Sequence, residues 1–241
     1  MRIASLNIHA GRCGTGRKRP SLGAIVELLR DARPDVCLLQ EVDRRMPRSG
    51  FADQAGRLAR AMRRGGETEW HFAFHACLGF GPLGQYGNAI LSREPLARVR
   101  RLPLSATGGE ARGAVGVLIS GESASGRTPY ALWTAHLGLR EEWRETQLAT
   151  LAVAVNADRD AGLAAVVGGD FNAEGDSPEV SRFLERTGLR VVSPDVPTFP
   201  ASAPAHRIDF LFAAPGLQVA DAGVVANTGA TDHCLLWVDL V

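Results

Sequence analysis

LAAVVGGDFNAE, residues 163–174, joins a short apolar run to a glycine pair and then to an aspartate and an asparagine two positions apart. The apolar part has the length of a buried strand. The glycines are read as the point where the strand stops and the backbone closely approaches a neighbour. Residues two apart in an extended chain point the same way, so Asp170 and Asn172 would present a carboxylate and an amide from the end of a core strand. That pair is hard-oxygen chemistry, suited to a divalent cation and to a phosphate that must be held and polarised. The competing reading of the fragment is an ordinary turn closed by Asx hydrogen bonds. The remainder of the chain has to decide.

A length of 241 residues fits one large domain spanning residues 1–241. Hydrophobic residues at 45% and charged residues at 22% are ordinary for a soluble globular protein. The net charge of +1 creates no global demand for nucleic acid or an anionic membrane. The N-terminal MRIASLNIHA lacks the charged-then-apolar pattern of a signal peptide, and no apolar stretch approaches the roughly 18 residues of a transmembrane helix. A soluble, cytoplasmic protein is expected, with no transmembrane segment and no predicted protein partner. Cys13, Cys37, Cys77 and Cys234 show no C-x-x-C spacing, which argues against a cysteine zinc site; Cys37 and Cys234 read as core thiols.

Strand-like runs alternate irregularly with a few helices, and no internal repeat or linker is visible. Strands are expected at residues 2–8, 35–42, 72–76, 88–92, 97–102, 113–119, 130–137, 163–168, 208–212, 217–225 and 234–241. Leu22, Ile25, Val26 and Leu29 have helical spacing with Ser21 as N-cap, and residues 53–64 form an amphipathic helix with Leu58 and Met62 on one face. Residues 141–156 are the best helix, with Leu148, Leu151, Ala152 and Val155 as the buried stripe; another lies near residues 178–186. Many strands with helices interspersed predict two packed sheets with helices outside. The missing regular βαβ alternation argues against a Rossmann-type sheet.

With the strands placed, ligand-type residues fall at their ends: Asn7, Glu41, His136, Asp170 with Asn172, Asp209, and Asp232–His233 before the last strand. A polar strand end is commonplace in any single case. Repeated occurrences, all of ligand or acid–base type, are not explained that way, and open sheets carry ligand sites outside strand ends.

SLNIH (5–9), LLQEVD (38–43), QYGNAILSR (85–93), TAHLGL (134–139), GGDFNAE (168–174), RIDFLF (207–212) and TDHCLLWVDL (231–240) occur in the order and at roughly the spacing of one superfamily. By these motifs the chain resembles, over nearly its whole length, the endonuclease/exonuclease/phosphatase superfamily of deoxyribonuclease I-like metal-dependent phosphoesterases. The resemblance implies an α+β fold, a four-layer α/β/β/α sandwich of two central mostly antiparallel sheets flanked by helices. It also implies a metal-dependent phosphoric ester hydrolase working by in-line attack of an activated water, with Mg²⁺ as cofactor and Mn²⁺ as substitute.

A phosphodiester hydrolase must position a water, neutralise the non-bridging oxygens and stabilise the leaving oxygen. Glu41 is expected as the principal metal carboxylate, Asp232 as a second, and Asn7 as support for the metal or the phosphate. His233 is expected as general base or as stabiliser of the transition state, oriented by Asp209. Asp170 would align the water or assist the leaving group, and Asn172 would donate to a phosphate oxygen. His136 occupies a strand end where repair nucleases of the superfamily tend to carry tyrosine, and is a candidate for phosphate stabilisation or leaving-group protonation. Asn88, Tyr86 and Arg112 are expected on the substrate side. The loop at residues 11–20, with Arg12, Arg17, Lys18 and Arg19, would meet an anionic group or stand as a solvated basic loop. His9 is a site-rim candidate.

Substrate choice lives in loops. The stretch TFPASAPAHRIDF lacks the tryptophan-bearing loop expected of abasic-site nucleases, and a near-zero net charge gives no stripe for duplex DNA. The favoured substrate is a small phosphodiester, a phosphate monoester or a lipid head group, with DNA as the runner-up. A non-catalytic binding module should show gaps in the constellation, and none is present. A zinc hydrolase is disfavoured because His71 and His75 lie on a predicted strand, roughly 13 Å apart.

Overall fold

The computed structural model describes residues 1–12, 22–63, 69–123, 126–226 and 229–241. Ser21, Arg64 and the basic residues Arg17, Lys18 and Arg19 lie outside the described residues. The first half of the chain runs β1 (Arg2–Asn7), α1 (Gly23–Ala32), β2 (Val36–Arg44), α2 (Gln54–Met62), β3 (His71–Gly79), β4 (Gln85–Ser92), β5 (Ala97–Leu104) and β6 (Arg112–Ser123). The second half runs β7 (Gly126–His136), α3 (Glu141–Asp160), β8 (Ala164–Asp170), α4 (Pro178–Thr187), β9 (Arg190–Val191), β10 (Asp209–Ala213), β11 (Val219–Val225) and β12 (Leu235–Leu240).

These strands form two six-stranded sheets, ordered β11-β12-β1-β2-β4-β3 and β5-β6-β7-β8-β10-β9. In each sheet the central pair is parallel, β1 with β2 and β7 with β8, and every other pairing is antiparallel. Each parallel pair is joined by its own crossover helix, α1 in one case and α3 in the other, as a parallel connection requires. The chain thus contains isolated βαβ units inside mainly antiparallel sheets, which is why no regular alternation is visible in the sequence.

Two-residue periodicity sorts the side chains into layers. Ile3, Val36, Leu38, Leu132, Val166, Leu211 and Val238 meet between the sheets. Ala4, Leu6, Cys37 and Leu39 face the other way, against Ile25 and Leu29 of α1 and Leu58 and Met62 of α2. On the second sheet, Trp133, Val167, Phe210 and Phe212 pack under Leu148, Leu151, Ala152 and Val155 of α3 and Val180 and Phe183 of α4. The result is the expected four-layer sandwich, with the predicted stripe of α3 buried.

β8 does not stop at its glycines. It continues through them to Asp170, still in register with β7 and β10. A Cβ at Gly169, where φ is +147°, would lie 1.9 Å from the Ala135 carbonyl oxygen, and one at Gly168 would lie 2.5 Å from Leu211. The glycines therefore permit close approach inside the sheet and carry Asp170 to its end.

Candidate active site

Along the face between the sheets each central strand changes character towards one end. The sequence Ile3, Ser5, Asn7 on β1 becomes Leu132, Thr134, His136 on β7 and Val166, Gly168, Asp170 on β8. The middle step is a small or polar layer. Buried Gln40 bridges the sheets there, its amide donating to Thr134 Oγ1 at 2.8 Å and Ser5 Oγ at 3.3 Å. Above this floor stand the strand-end residues.

Asp170, 2% exposed, is the hub. Its Oδ2 accepts from Asn7 Nδ2 at 3.0 Å and its Oδ1 from the Asn172 backbone N–H at 3.0 Å. His136 Nε2 lies 3.4 Å and His233 Nε2 3.7 Å from Oδ2. Burial pushes its carboxyl pKa up, a push that His136 opposes and Asp209 reinforces. Asp209, the first residue of β10, faces His233 Nδ1 at 2.9 Å. Burial disfavours a charged His233, but the attraction of Asp209, Asp170 and Asp232 outweighs it and raises the pKa to about 10. The ring is thus an imidazolium held between carboxylates.

His136 behaves in the opposite way. Burial is the main cause that lowers its pKa to about 4; Asp170 opposes, while Arg112 and His233 add to the fall. Arg112 Nη1 lies 3.1 Å from His136 Nδ1. The same Nη1 lies 3.3 Å from Nε2, so Arg112 does not itself fix the tautomer; the Asp170 carboxylate 3.4 Å from Nε2 favours the proton of the neutral ring there. Arg112 Nη2 pairs with Glu110 at 2.9 Å, and the guanidinium is 9% exposed at the cleft.

Glu41 reaches the same place through a bulge. Leu39 pairs with Ala89 and Val42 with Gly87, so β2 carries one residue more than β4 between these points. Glu41 takes φ +57° there, and Val42 returns to the helix-facing core. Its Oε1 accepts from Asn7 Nδ2 at 3.2 Å. The Tyr86 hydroxyl, whose pKa is raised first by burial and then by the Glu41 charge, donates to the same carboxylate. Left-handed backbone at a non-glycine residue costs on the order of 1–2 kcal/mol and concentrates at functional sites. His9 (φ +45°) and Asn172 (φ +48°) share this feature.

Asp232 joins through His9, whose Nδ1 is 3.1 Å from its Oδ2, and through Thr231, which donates to the Asn7 carbonyl at 2.9 Å. The His9 pKa is raised chiefly by its hydrogen bond to Asp232, with Glu41 adding to it. Burial pushes the Asp232 pKa up, but His9 and His233 bring it below the usual range.

Two of the sequence-predicted site residues also make contacts within the protein. Asn172 spends one amide N–H on the Leu137 carbonyl at 3.0 Å, so it braces the loop after His136. Asn88, 1% exposed, donates to the Gly113 carbonyl at 2.7 Å and supports the backbone beside Arg112. Gln40 and the His9–Asp232 pair were missed by sequence reasoning. The alternation Val36, Leu38, Gln40 could have found the first. His71 and His75 are both on β3, and His75 is buried.

Asp170, Asp209 and His233 lie close enough together to hold an ion, within 4.8 Å of one another. Their contacts are better described as a proton-bearing imidazole between acids, since Nδ1 is committed to Asp209. Glu41 and Asp232 supply carboxylate oxygens that suit a hard cation better, whereas Asn7 turns its amide Nδ2 to Glu41 and Asp170 while its Oδ1 accepts from the His9 backbone N–H at 3.0 Å.

Residues 4–233 match the profile of the Endonuclease/Exonuclease/phosphatase family. The uncharacterized protein YbhP of Escherichia coli K12 is 35% identical over 135 residues, which is 54% of this chain and 52% of that protein. The chain thus matches about half the length of that relative. The endonuclease/exonuclease/phosphatase of Beutenbergia cavernae superposes with a TM-score of 0.82 at 24% identity, covering 100% of this chain and 71% of the other. A mannosyl-6-phosphatase of Bacteroides thetaiotaomicron superposes with a TM-score of 0.79 at 16% identity, covering 100% and 99%.

Proposed function

The chain belongs to the endonuclease/exonuclease/phosphatase family, whose members are phosphoester hydrolases, and from that premise we propose a Mg²⁺-dependent phosphodiesterase or phosphatase acting by in-line attack of water. The observation that carries this reading is the convergence on Asp170 of Asn7, His136 and His233 from strands of both sheets. Glu41 and Asp232 would hold the cation, with Asn7 supporting Glu41 through its Nδ2 donor; when bound, the cation would neutralise phosphate charge and stabilise the leaving oxygen.

The chain's own groups supply the rest. Asp170 accepts a hydrogen bond from the attacking water and orients it; its raised pKa suits it to take the proton at Oδ2. His233, charged and braced by Asp209, donates from Nε2 to a non-bridging phosphate oxygen. Neutral His136 offers a hydrogen bond from Nε2 rather than a proton. That favours phosphate stabilisation over leaving-group protonation for this residue, and transition-state stabilisation over general-base work for His233. Arg112 adds a fixed positive charge, and water-poor surroundings strengthen each of these contacts. Tyr86 positions Glu41, and Asn88 acts through Gly113.

The substrate is proposed to be a small phosphodiester, a phosphate monoester or a lipid head group. A panel tests this: a bis-aryl phosphodiester, a sugar phosphate, phospholipids, plasmid DNA and an abasic duplex, each with Mg²⁺, Mn²⁺ or chelator. Chelator-sensitive turnover of the esters is expected. Rapid plasmid nicking at low enzyme, with the esters untouched, would instead make it a DNA-directed nuclease.

A further inference from the structure

We infer that the loops around the mouth of this cleft dock the protein on an anionic phospholipid surface, which presents lipid phosphoesters to the site; the substrate part of this inference rests on the phosphoesterase reading above. Among the described residues the exposed phenylalanines and leucines are Phe51 (64%), Phe72, Phe80 (46%), Leu83 (57%) and Leu139 (70%). All but Phe72 lie on loops leaving the strand ends that carry the site. Leu139 follows His136 by three residues. Phe80 and Leu83 sit in the turn between β3 and β4, and Phe51 in the loop after β2.

Those last two loops form one lip. The Arg45 amide donates to the Ala52 carbonyl, and a Cβ at Gly84 would lie 2.5 Å from the Arg45 carbonyl oxygen. From Gly84 the chain reaches Tyr86 in two residues, and Tyr86 contacts Glu41. Asn88 is four residues from Gly84 along β4, so the lip stands roughly 13 Å beyond the floor of the site.

The charge on this lip selects the partner. Arg44 pairs with Asp53 and Arg48 with Asp43. Arg45, beside the turn that carries Phe80 and Leu83, is exposed and makes no ion pair among the described residues, which leaves a positive charge beside these apolar side chains. Aromatic and leucine side chains beside arginines match an anionic bilayer interface, where the apolar groups enter the head-group boundary and the guanidinium groups meet phosphate. Duplex DNA would engage the arginines but leave Phe80, Leu83 and Leu139 in water.

Flotation with phosphatidylglycerol-containing vesicles and with pure phosphatidylcholine vesicles tests this, using the wild type, an F80S/L83S double variant and V153S. Val153 is 72% exposed on α3, away from the mouth, and serves as control. The wild type and V153S are expected to float with the anionic vesicles, less so at raised salt or with pure phosphatidylcholine. The double variant should bind at least about tenfold more weakly, since each apolar side chain removed from a lipid contact is worth about that factor. All forms should retain turnover of a soluble bis-aryl phosphodiester. A wild type that stays with the soluble fraction, or a double variant that floats equally well, would overturn the docking surface. Selective flotation in a protein that cleaves no phosphoester would support docking and overturn the phosphoesterase reading.

Discussion

Asp170 takes hydrogen bonds on both carboxylate oxygens and still faces two imidazoles, so its charge is the one the site is arranged around. An Asp170→Asn change keeps the volume and the acceptor for Asn172 while removing the base. Turnover should fall by about 10²–10⁴, with the urea midpoint held or raised because a buried charge is gone. Parallel kinetics and unfolding curves check this. Glu41 yields a second prediction. A cation held at 100 times its dissociation constant stabilises the folded chain by about 2.7 kcal/mol, so Mg²⁺ should raise the Tm of the wild type. The rise should vanish in Glu41→Gln, as differential scanning calorimetry with and without Mg²⁺ would read. Most of the candidate site was legible in sequence because its residues flank apolar runs, at the end of one or just before the next. His9 and Asp232 were not paired there, since their meeting depends on a left-handed turn after β1 and on the closure of β12 beside it. Asn88 and Asn172 were recognised by type, but the groups they hold, Gly113 on β6 and Leu137 just past β7, are distant in sequence and carry no local signal.

At the scale of the element, β8 shows what backbone geometry demands. Gly169→Ala would drive a Cβ into the Ala135 carbonyl oxygen at a φ that L-residues avoid, and should cost more than about 3 kcal/mol or prevent folding. Gly216→Ala, with nothing within 4 Å, should change stability by less than about 1 kcal/mol. Urea unfolding of the two variants distinguishes them, and a tolerated Gly169→Ala would show the β7–β8 approach to be looser than described. The sequence reading ended the strand at this glycine pair because glycine usually interrupts strands. Here it lets neighbouring strands come close, a reason visible only across the sheet. The bulge at Glu41 was likewise hidden: two-residue alternation alone would have sent Glu41 towards the helices. Helical spacing did place the buried stripe of α3 correctly, with Leu148, Leu151, Ala152 and Val155 in the core.

Across the whole molecule, the first and last strands are clamped by Arg2, whose guanidinium makes paired hydrogen bonds to Asp239 at 2.8 and 2.6 Å and donates to the Ala32 carbonyl. The hydrogen bond from Arg2 holds the Asp239 pKa below its ordinary 3.8, against the opposing effect of burial. The unfolded chain therefore takes up a proton at this carboxylate before the folded one does. The stabilisation is complete above the ordinary aspartate pKa and is lost as pH falls through the depressed folded value. Asp239→Asn should be less stable than the wild type at neutral pH, with the gap between their urea midpoints closing in acid. A gap that stays constant with pH would show that the clamp does not depend on the charge. The two sheets share one plan, each with a parallel pair at its centre and a crossover helix outside, and the site sits where the carboxyl ends of both pairs converge. No repeat is visible in the sequence because the shared plan is one of pairing and not of side chains.

The central claim is that Asp170 and a cation held by Glu41 and Asp232 act together at this junction. Mg²⁺-dependent turnover of a bis-aryl phosphodiester by the wild type and by Asp170→Asn, each with and without chelator, tests it most directly. The account predicts turnover that chelator abolishes and Mg²⁺ restores in the wild type, and that is lower by about 10²–10⁴ in Asp170→Asn with Mg²⁺ while the variant melts cooperatively. Chelator-insensitive turnover, or turnover in Asp170→Asn close to the wild-type rate, would contradict it.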